Sequence, residues 1–233
     1  MRLGSVRSLE SLQGLEKRKE AYVLSGVSDG GSTVARPAIW PLVLAATVAA
    51  AIVIMGSLAL ADTVEGGWRS ATRGTARLAL ILLLIAYAAS SLNLLVGGRL
   101  TLELMRRRRP IGLSFAAVMA IHVFCILALA AVARDGHVLH VVDTGGVAYA
   151  FIAVLALTSN DYSMRLLGPW WKRLHTVAIH VVLIKFASLV YQKAASGSLI
   201  SLILLVMIGC SVVLRIAAAF VSTSRTVTSA EAR

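Results

Sequence analysis

The chain has 233 residues, of which 58% are hydrophobic and only 15% are charged. A soluble domain averages roughly 45–50% apolar residues, so this composition argues against a soluble enzyme. The net charge is +12, but the basic residues fall between long apolar runs and form no patch interleaved with aromatic side chains. This distribution indicates membrane topology and contact with anionic membrane lipid, and it argues against a nucleic-acid partner.

Six apolar segments follow one another, each near the roughly 20 residues that a helix needs to cross the hydrocarbon core of a bilayer. They lie near 38–61, 78–97, 111–133, 138–158, 174–191 and 199–220. Asp143, Gly145 and Gly146 interrupt the fourth segment, so five spans and one re-entrant piece is the competing count. The sequence predicts an all-α polytopic transmembrane bundle of about six spans over 38–220.

The loops that carry most of the Lys and Arg alternate with loops that carry fewer. The richer ones precede the first segment, join the second to the third, and join the fourth to the fifth. The positive-inside rule assigns such loops to the cytoplasm. The sequence therefore predicts a multi-pass protein of the inner (cytoplasmic) membrane, with the N-terminal segment 1–37 and the tail 221–233 both cytoplasmic.

Cys125 and Cys210 each lie inside an apolar run and form no Cys-x-x-Cys pair. An iron–sulfur cluster or a zinc ribbon needs such closely spaced ligands, so the sequence argues against both. Free cysteines commonly behave as small apolar residues, and we expect both to be core residues.

Three histidines fall within the predicted spans. His122 lies near the middle of the third, His175 near the cytoplasmic end of the fifth, and His180 further in. A lone intramembrane histidine usually hydrogen-bonds a neighbouring helix, but three on two spans favour metal or heme ligation. His137 and His140 are predicted in a solvated outer loop, with a surface metal as the alternative.

Two further basic residues lie in apolar runs. Lys185 lies within the fifth segment, and it either snorkels or faces the bundle and pairs with an anionic group. The other is Arg215, within the last segment. It is close enough to the cytoplasmic end for its side chain to reach the interface, so the sequence predicts that it snorkels.

Two stretches carry a family resemblance. The first is Arg108-Arg109-Pro110-Ile111-Gly112-Leu113, followed by Ile121-His122. The second is Leu155-Ala156-Leu157-Thr158-Ser159, followed by Leu167-Gly168-Pro169-Trp170-Trp171-Lys172-Arg173-Leu174-His175. In order and spacing they resemble the ferric-reductase-like transmembrane family, especially the heme-binding membrane subunits of periplasmic methionine-sulfoxide reductase systems. The similarity covers about 74–191.

This resemblance implies a bundle that holds heme b and passes electrons across the membrane to an outer acceptor. His122 and His175 match ligand positions of the family. A further family histidine, thirteen residues after the one matching His175, is replaced here by Ser188. We therefore predict His180 as a substitute ligand, so that the heme-iron and cofactor-binding set would be His122, His175 and His180.

Two main functions follow from these features. The first is a heme b-dependent electron-transfer protein, an oxidoreductase subunit if it is an enzyme. No dinucleotide-binding motif is present, so a protein redox partner or quinol would supply its electrons. The alternative is a heme-free membrane binding or assembly protein that keeps the fold but has lost the ligand set. A small transporter is the third hypothesis, weakened because no Asp or Glu lies deep in a confident span.

Overall fold

The computed structural model describes residues 38–133 and 137–231, with side chains described for 38–133 and 145–222. The prediction of an all-α bundle is confirmed, because every regular element in these ranges is a helix and no strand occurs in them. The helices are α1 (Ile39–Ala59), α2 (Val64–Leu95), α3 (Arg99–Arg106), α4 (Arg108–Val132), α5 (His137–Leu157), α6 (Asp161–Leu167), α7 (Pro169–Ala195) and α8 (Leu199–Glu231). The predicted N-terminal segment 1–37 lies outside the described residues.

Five helices are long and apolar enough to cross a membrane: α1, α2, α4, α7 and α8 as far as Ser222. The described side chains of α5, Gly145–Leu157, form a shorter apolar helix between them. The chain is therefore a multi-pass membrane protein. The sequence predicts a tail that begins at residue 221, but in the structure helix α8 continues to Glu231.

Helix α2 begins fourteen residues before the predicted second segment. The Thr63 side chain caps its first turn by accepting from the backbone N–H of Gly66 at 3.0 Å. Arg69 pairs with Glu65 one turn earlier at 2.6 Å. The cap and this ion pair stabilise a first turn whose composition resembles a loop. With 32 residues, α2 is about 48 Å long and exceeds the hydrocarbon core.

The centre of the bundle follows one line of residues on α2, spaced four apart and all buried. They are Gly67, Ala71, Thr75, Ala79, Leu83, Tyr87 and Ser91. Each step of four residues turns about 40° around a helix axis, so the line winds around α2. The side chains in the first half of this line are small, so α1 and α4 can approach α2 closely. The second half contains the larger Leu83 and Tyr87, and Tyr87 contacts α7 and α8.

Two short helices, α3 and α6, lie at the end of the bundle where α2 ends and α4 begins, which we call the basic end. Arg109 ties this end together: its Nε donates to the Ser159 carbonyl at 2.9 Å, and its Nη1 donates to Asp161 at 2.9 Å. The start of α4 is thereby fixed to the junction of α5 and α6. The two stretches that carry the family resemblance therefore meet in space.

Two smaller predictions differ from the structure. His137 and His140 fall on the first turn of α5, not in a loop, although their side chains lie outside the described ones. Cys125 is fully buried as expected, but Cys210 is exposed on α8. A lipid-facing helix surface is as apolar as a protein core, so composition alone does not separate the two locations.

Candidate functional site

His122 lies in α4 and is 8% exposed. Its Nδ1 is 3.0 Å from the hydroxyl oxygen of Thr75, which is fully buried on α2. The Thr75 hydroxyl also lies within hydrogen-bond distance of the Ala71 carbonyl at 2.9 Å and of the Thr72 carbonyl at 3.2 Å. His122 therefore links α4 to α2. The Tyr149 ring of α5 lies nearby, with 6.5 Å between centroids.

His180 lies in α7 and faces the half of α2 that is nearer the basic end. Its Nδ1 is 2.6 Å from the carbonyl of Thr176, one turn earlier. A carbonyl only accepts, so Nδ1 carries the proton and Nε2 carries the lone pair. Nε2 accepts from the Tyr87 hydroxyl at 3.4 Å, and the two rings meet edge to face at 5.8 Å. His180 thus links α7 to α2.

His175 lies in α7 near the basic end and contacts the end of α5. Its Nε2 is 2.8 Å from the Thr158 hydroxyl, which donates to the Val154 carbonyl at 2.6 Å. His175 therefore links α7 to Thr158, the residue that follows α5. The Trp171 ring covers His175 at 4.2 Å, and its indole N–H donates to the Thr158 carbonyl at 2.8 Å.

The structure does not bring His122 and His180 together. Their partners on α2, Thr75 and Tyr87, are twelve residues apart, which is about 18 Å along the axis and about 120° around it. Two nitrogens on opposite sides of one metal ion, each bonded at about 2 Å, would be about 4 Å apart. The predicted pairing of these two histidines on a single heme therefore does not fit the geometry.

His175 joins neither of the other two histidines. Its partner Thr158 directly follows α5 and lies nine residues beyond Tyr149, the neighbour of His122, which is about 13 Å along the axis of α5. His180 follows His175 by five residues on α7 and points about 140° away from it. Each of the three predicted ligands therefore occupies its own level of the bundle.

Ser188 stands where the resemblance would place a further histidine. It is exposed on α7, and its hydroxyl donates to the Lys185 carbonyl of its own helix at 2.8 Å. It therefore offers no ligand towards His122. Among the described residues, no group of three or more His, Cys, Asp or Glu side chains could hold a metal ion. The described side chains do not form a bis-histidine heme site.

The structure identifies two further residues near the histidines, Tyr87 and Arg215. Tyr87 is 2% exposed, and the Arg215 guanidinium lies over its ring at 4.6 Å. The Nη1 atom of Arg215 is buried without a hydrogen-bond partner. The side chain was predicted to snorkel, but it packs on a core tyrosine instead. The sequence feature that pointed to Arg215 was an isolated charge within the last apolar run.

The fold and these contacts define the chain as an all-α, multi-pass membrane protein. Comparison with known protein families, with curated proteins and with solved structures gives no match. The resemblance to ferric-reductase-like proteins therefore stays a prediction based on the two stretches quoted above.

Proposed function

We propose that this chain is a heme-free membrane binding or assembly protein of the inner membrane, with both termini in the cytoplasm. The observation that supports this most is the separation of the three histidines, each hydrogen-bonded to its own protein partner. The exposed Ser188, bonded to its own helix, supports the same conclusion. In this proposal the bundle keeps a ferric-reductase-like framework without a pair of iron ligands.

The histidines then serve as links between helices. His122 joins α4 to α2, His180 joins α7 to α2, and His175 joins α7 to α5. A polar side chain in hydrocarbon is costly unless it is satisfied, and a helix-to-helix hydrogen bond contributes on average about 0.6 kcal/mol in membrane proteins. Together these bonds fix which helices neighbour one another, and so they position the basic end.

The basic end is the proposed binding surface. The amphipathic helix α3 exposes Leu100, which is 87% accessible, beside its arginines, and α6 exposes Leu166 at 72%. Arg173 extends over Trp170 at 5.0 Å. A surface that combines basic and apolar side chains suits the lipid headgroup layer and a membrane-associated partner.

The second candidate is the electron-transfer function, with heme held by His122 alone and electrons supplied by a protein partner or quinol. One observation favours it. The 3.0 Å contact between the His122 Nδ1 and the Thr75 hydroxyl fixes the orientation of the imidazole, as second-shell contacts do for metal-bound histidines. The geometry supports this candidate less, because no second histidine lies on the level of His122.

A double-mutant cycle distinguishes histidines that only link helices from histidines that share one heme. We expect His122→Ala and His180→Ala each to lower the free energy of unfolding by about 1–3 kcal/mol, because each leaves a buried hydroxyl without its partner. Their effects should add within about 0.5 kcal/mol, as for distant sites. The measurement is loss of helical circular dichroism during titration of the detergent-solubilised protein with SDS.

The matched control is the cycle of His122→Ala with Thr75→Ala, whose side chains are in contact at 3.0 Å. This pair should show a coupling energy of about 0.5 kcal/mol or more. Coupling between His122 and His180 as large as that of the control would contradict their separation, and with it the heme-free proposal.

A further inference from the structure

Helix α3 joins two membrane-spanning helices at the basic end. Residues 96–98 separate it from the end of α2, and Arg107 separates it from the start of α4. The apolar run of α2 continues up to Val96, while α4 becomes apolar from Ile111 onwards. Helix α3 therefore lies where both spans leave the hydrocarbon, and its short connections hold it at the membrane surface.

One side of α3 is held by α2. The amide nitrogen of Asn93, near the end of α2, lies 3.4 Å from the Met105 sulfur, and its amide oxygen lies 3.3 Å from the Thr101 hydroxyl. Thr101 and Met105 are four residues apart, so they lie on one face of α3. One asparagine therefore contacts two side chains of this face, which fixes the rotation of α3 about its own axis.

A second side of α3 is polar and has a net positive charge. Arg99, Glu103 and Arg106 lie within about 60° of one another around the helix axis, and Arg107 follows at the end of the helix. Glu103 pairs with Arg107 at 2.7 Å and approaches Arg106 at 4.0 Å. Three cations thus share one carboxylate. Because all three arginines are exposed, this side suits a negatively charged surface.

The third side of α3 is apolar. Leu100 and Leu104 are four residues apart and lie about 110° around the axis from the polar side. Leu100 is 87% exposed, and Leu104 is partly exposed. Contact of such side chains with water is unfavourable. The nearest apolar medium is the acyl layer of the leaflet that α2 and α4 enter beside α3.

We propose that α3 is an interfacial helix that binds the anionic phospholipids of the leaflet at the basic end. Leu100 and Leu104 insert among the acyl chains, and Arg99 and Arg106 bind the lipid phosphates. Asn93 determines which side of α3 faces the lipid through its two contacts. This inference rests on the proposed function, because it names the partner of one part of the basic end.

The first test is fluorescence quenching of a label at position 100 of the full chain in nanodiscs of phosphatidylcholine and phosphatidylglycerol. A cysteine replaces Leu100 in a background without the native cysteines and carries the label. Brominated acyl chains quench from within the membrane, and iodide quenches from the water. We expect strong quenching by brominated lipid and weak quenching by iodide, since an interfacial helix buries its apolar side by about 5–10 Å.

The matched control carries the same label at Arg106→Cys, on the polar side of the same helix. Iodide should quench this label strongly and brominated lipid weakly, the reverse of the order at position 100. Asn93→Ala should reduce the difference between the two labels, because α3 then loses the contacts that fix its rotation.

The second test compares headgroups. The label at position 100 is quenched with brominated phosphatidylglycerol or with brominated phosphatidylcholine, which gives their relative binding constant beside α3. We expect a preference for phosphatidylglycerol of about fivefold or more, and Arg99→Gln should lower it by about fivefold. The matched control is Arg73→Gln, about 33 Å along α2 from its end, which should change the preference by less than about twofold.

Three results would overturn the proposal. The first is equal quenching by brominated phosphatidylcholine and brominated phosphatidylglycerol. The second is equal quenching of the two labels by iodide, which would place Leu100 in water. The third is protection of position 100 from both quenchers, which would show that protein covers α3 and would leave the basic end as a binding surface. These results are distinguishable from failure of the heme-free function, which a measurement of bound heme tests separately.

Discussion

Replacing Tyr87 with alanine is expected to lower the free energy of unfolding by about 3–5 kcal/mol, the usual cost of deleting a large buried aromatic side chain. Tyr87 is 2% exposed and joins three helices: its own α2, α7 through His180, and α8 through Arg215. Its loss leaves a cavity, a histidine without its donor and a cation without its aromatic partner. The measurement is the SDS titration of helical circular dichroism.

Tyr87→Phe separates the two parts of this effect. It keeps the ring against Arg215 and removes only the hydroxyl that donates to His180, so it should cost about 1 kcal/mol. The matched control is Tyr162→Ala, because Tyr162 is 74% exposed on α6 and its loss should change stability by less than about 0.5 kcal/mol. Equal effects at the two tyrosines would contradict the placement of Tyr87 at the junction of the helices.

The second large effect is expected at Gly74, where α1 crosses α2. A Cβ added at this position would overlap the Val53 side chain of α1. Leucine there must push α1 away from α2, and overpacking of this kind costs about 1–3 kcal/mol. Helix α1 buries little of its surface, because Ala46 and Ala50 are its buried residues and most of its other side chains are exposed or partly exposed. We expect Gly74→Leu to loosen α1 from the bundle.

Cysteine cross-linking measures this displacement directly. In a background without the native cysteines, a disulfide between cysteines at Leu58 and Gly67 should form more slowly after Gly74→Leu, because a Cβ at Gly67 lies 3.2 Å from the Leu58 Cα. The matched control is Gly112→Leu on α4, where an added Cβ meets no atom within 4 Å. An unchanged cross-linking rate in the Gly74 variant, or an equal loss in the control, would show that α1 does not pack on α2 at Gly74.

The sequence could predict the fold class because long apolar runs have few structural solutions in a membrane, where only helices and closed barrels satisfy the backbone. It could not predict where α2 begins. Gly66 and Gly67 beside several arginines resemble a loop, and the cap at Thr63 is a local hydrogen bond that hydropathy does not show. Gly67 is small because its neighbour Leu58 of α1 leaves no room for a Cβ there.

The histidine site was harder to predict for a geometric reason. Residue counts from the helix ends predict similar depths for His122 and His180, which would allow a shared heme. Depth along separate helices does not say which faces meet, and α4 and α7 are apolar on nearly every side. The partners Thr75 and Tyr87 on α2 determine the outcome, and their twelve-residue separation is visible only once both contacts are known.

For Arg215, too, the sequence does not show which neighbouring side chain a residue contacts. Its position near one end of an apolar run predicts a side chain that reaches the interface, because arginine can extend its stem through hydrocarbon. The direction in which it extends depends on the neighbouring helix. Here the Tyr87 ring of α2 offers a cation–π contact at 4.6 Å, and the guanidinium packs inward on it.

The most direct test of the heme-free proposal is an absorbance spectrum of the detergent-purified protein, oxidised and then reduced with dithionite, after expression with ample heme. The heme-to-protein ratio is measured on the same sample. The separated histidines predict a folded, colourless protein with a ratio near zero. A Soret band that shifts on reduction, with resolved α and β bands and about one heme or more per chain, would contradict the proposal and support the electron-transfer function.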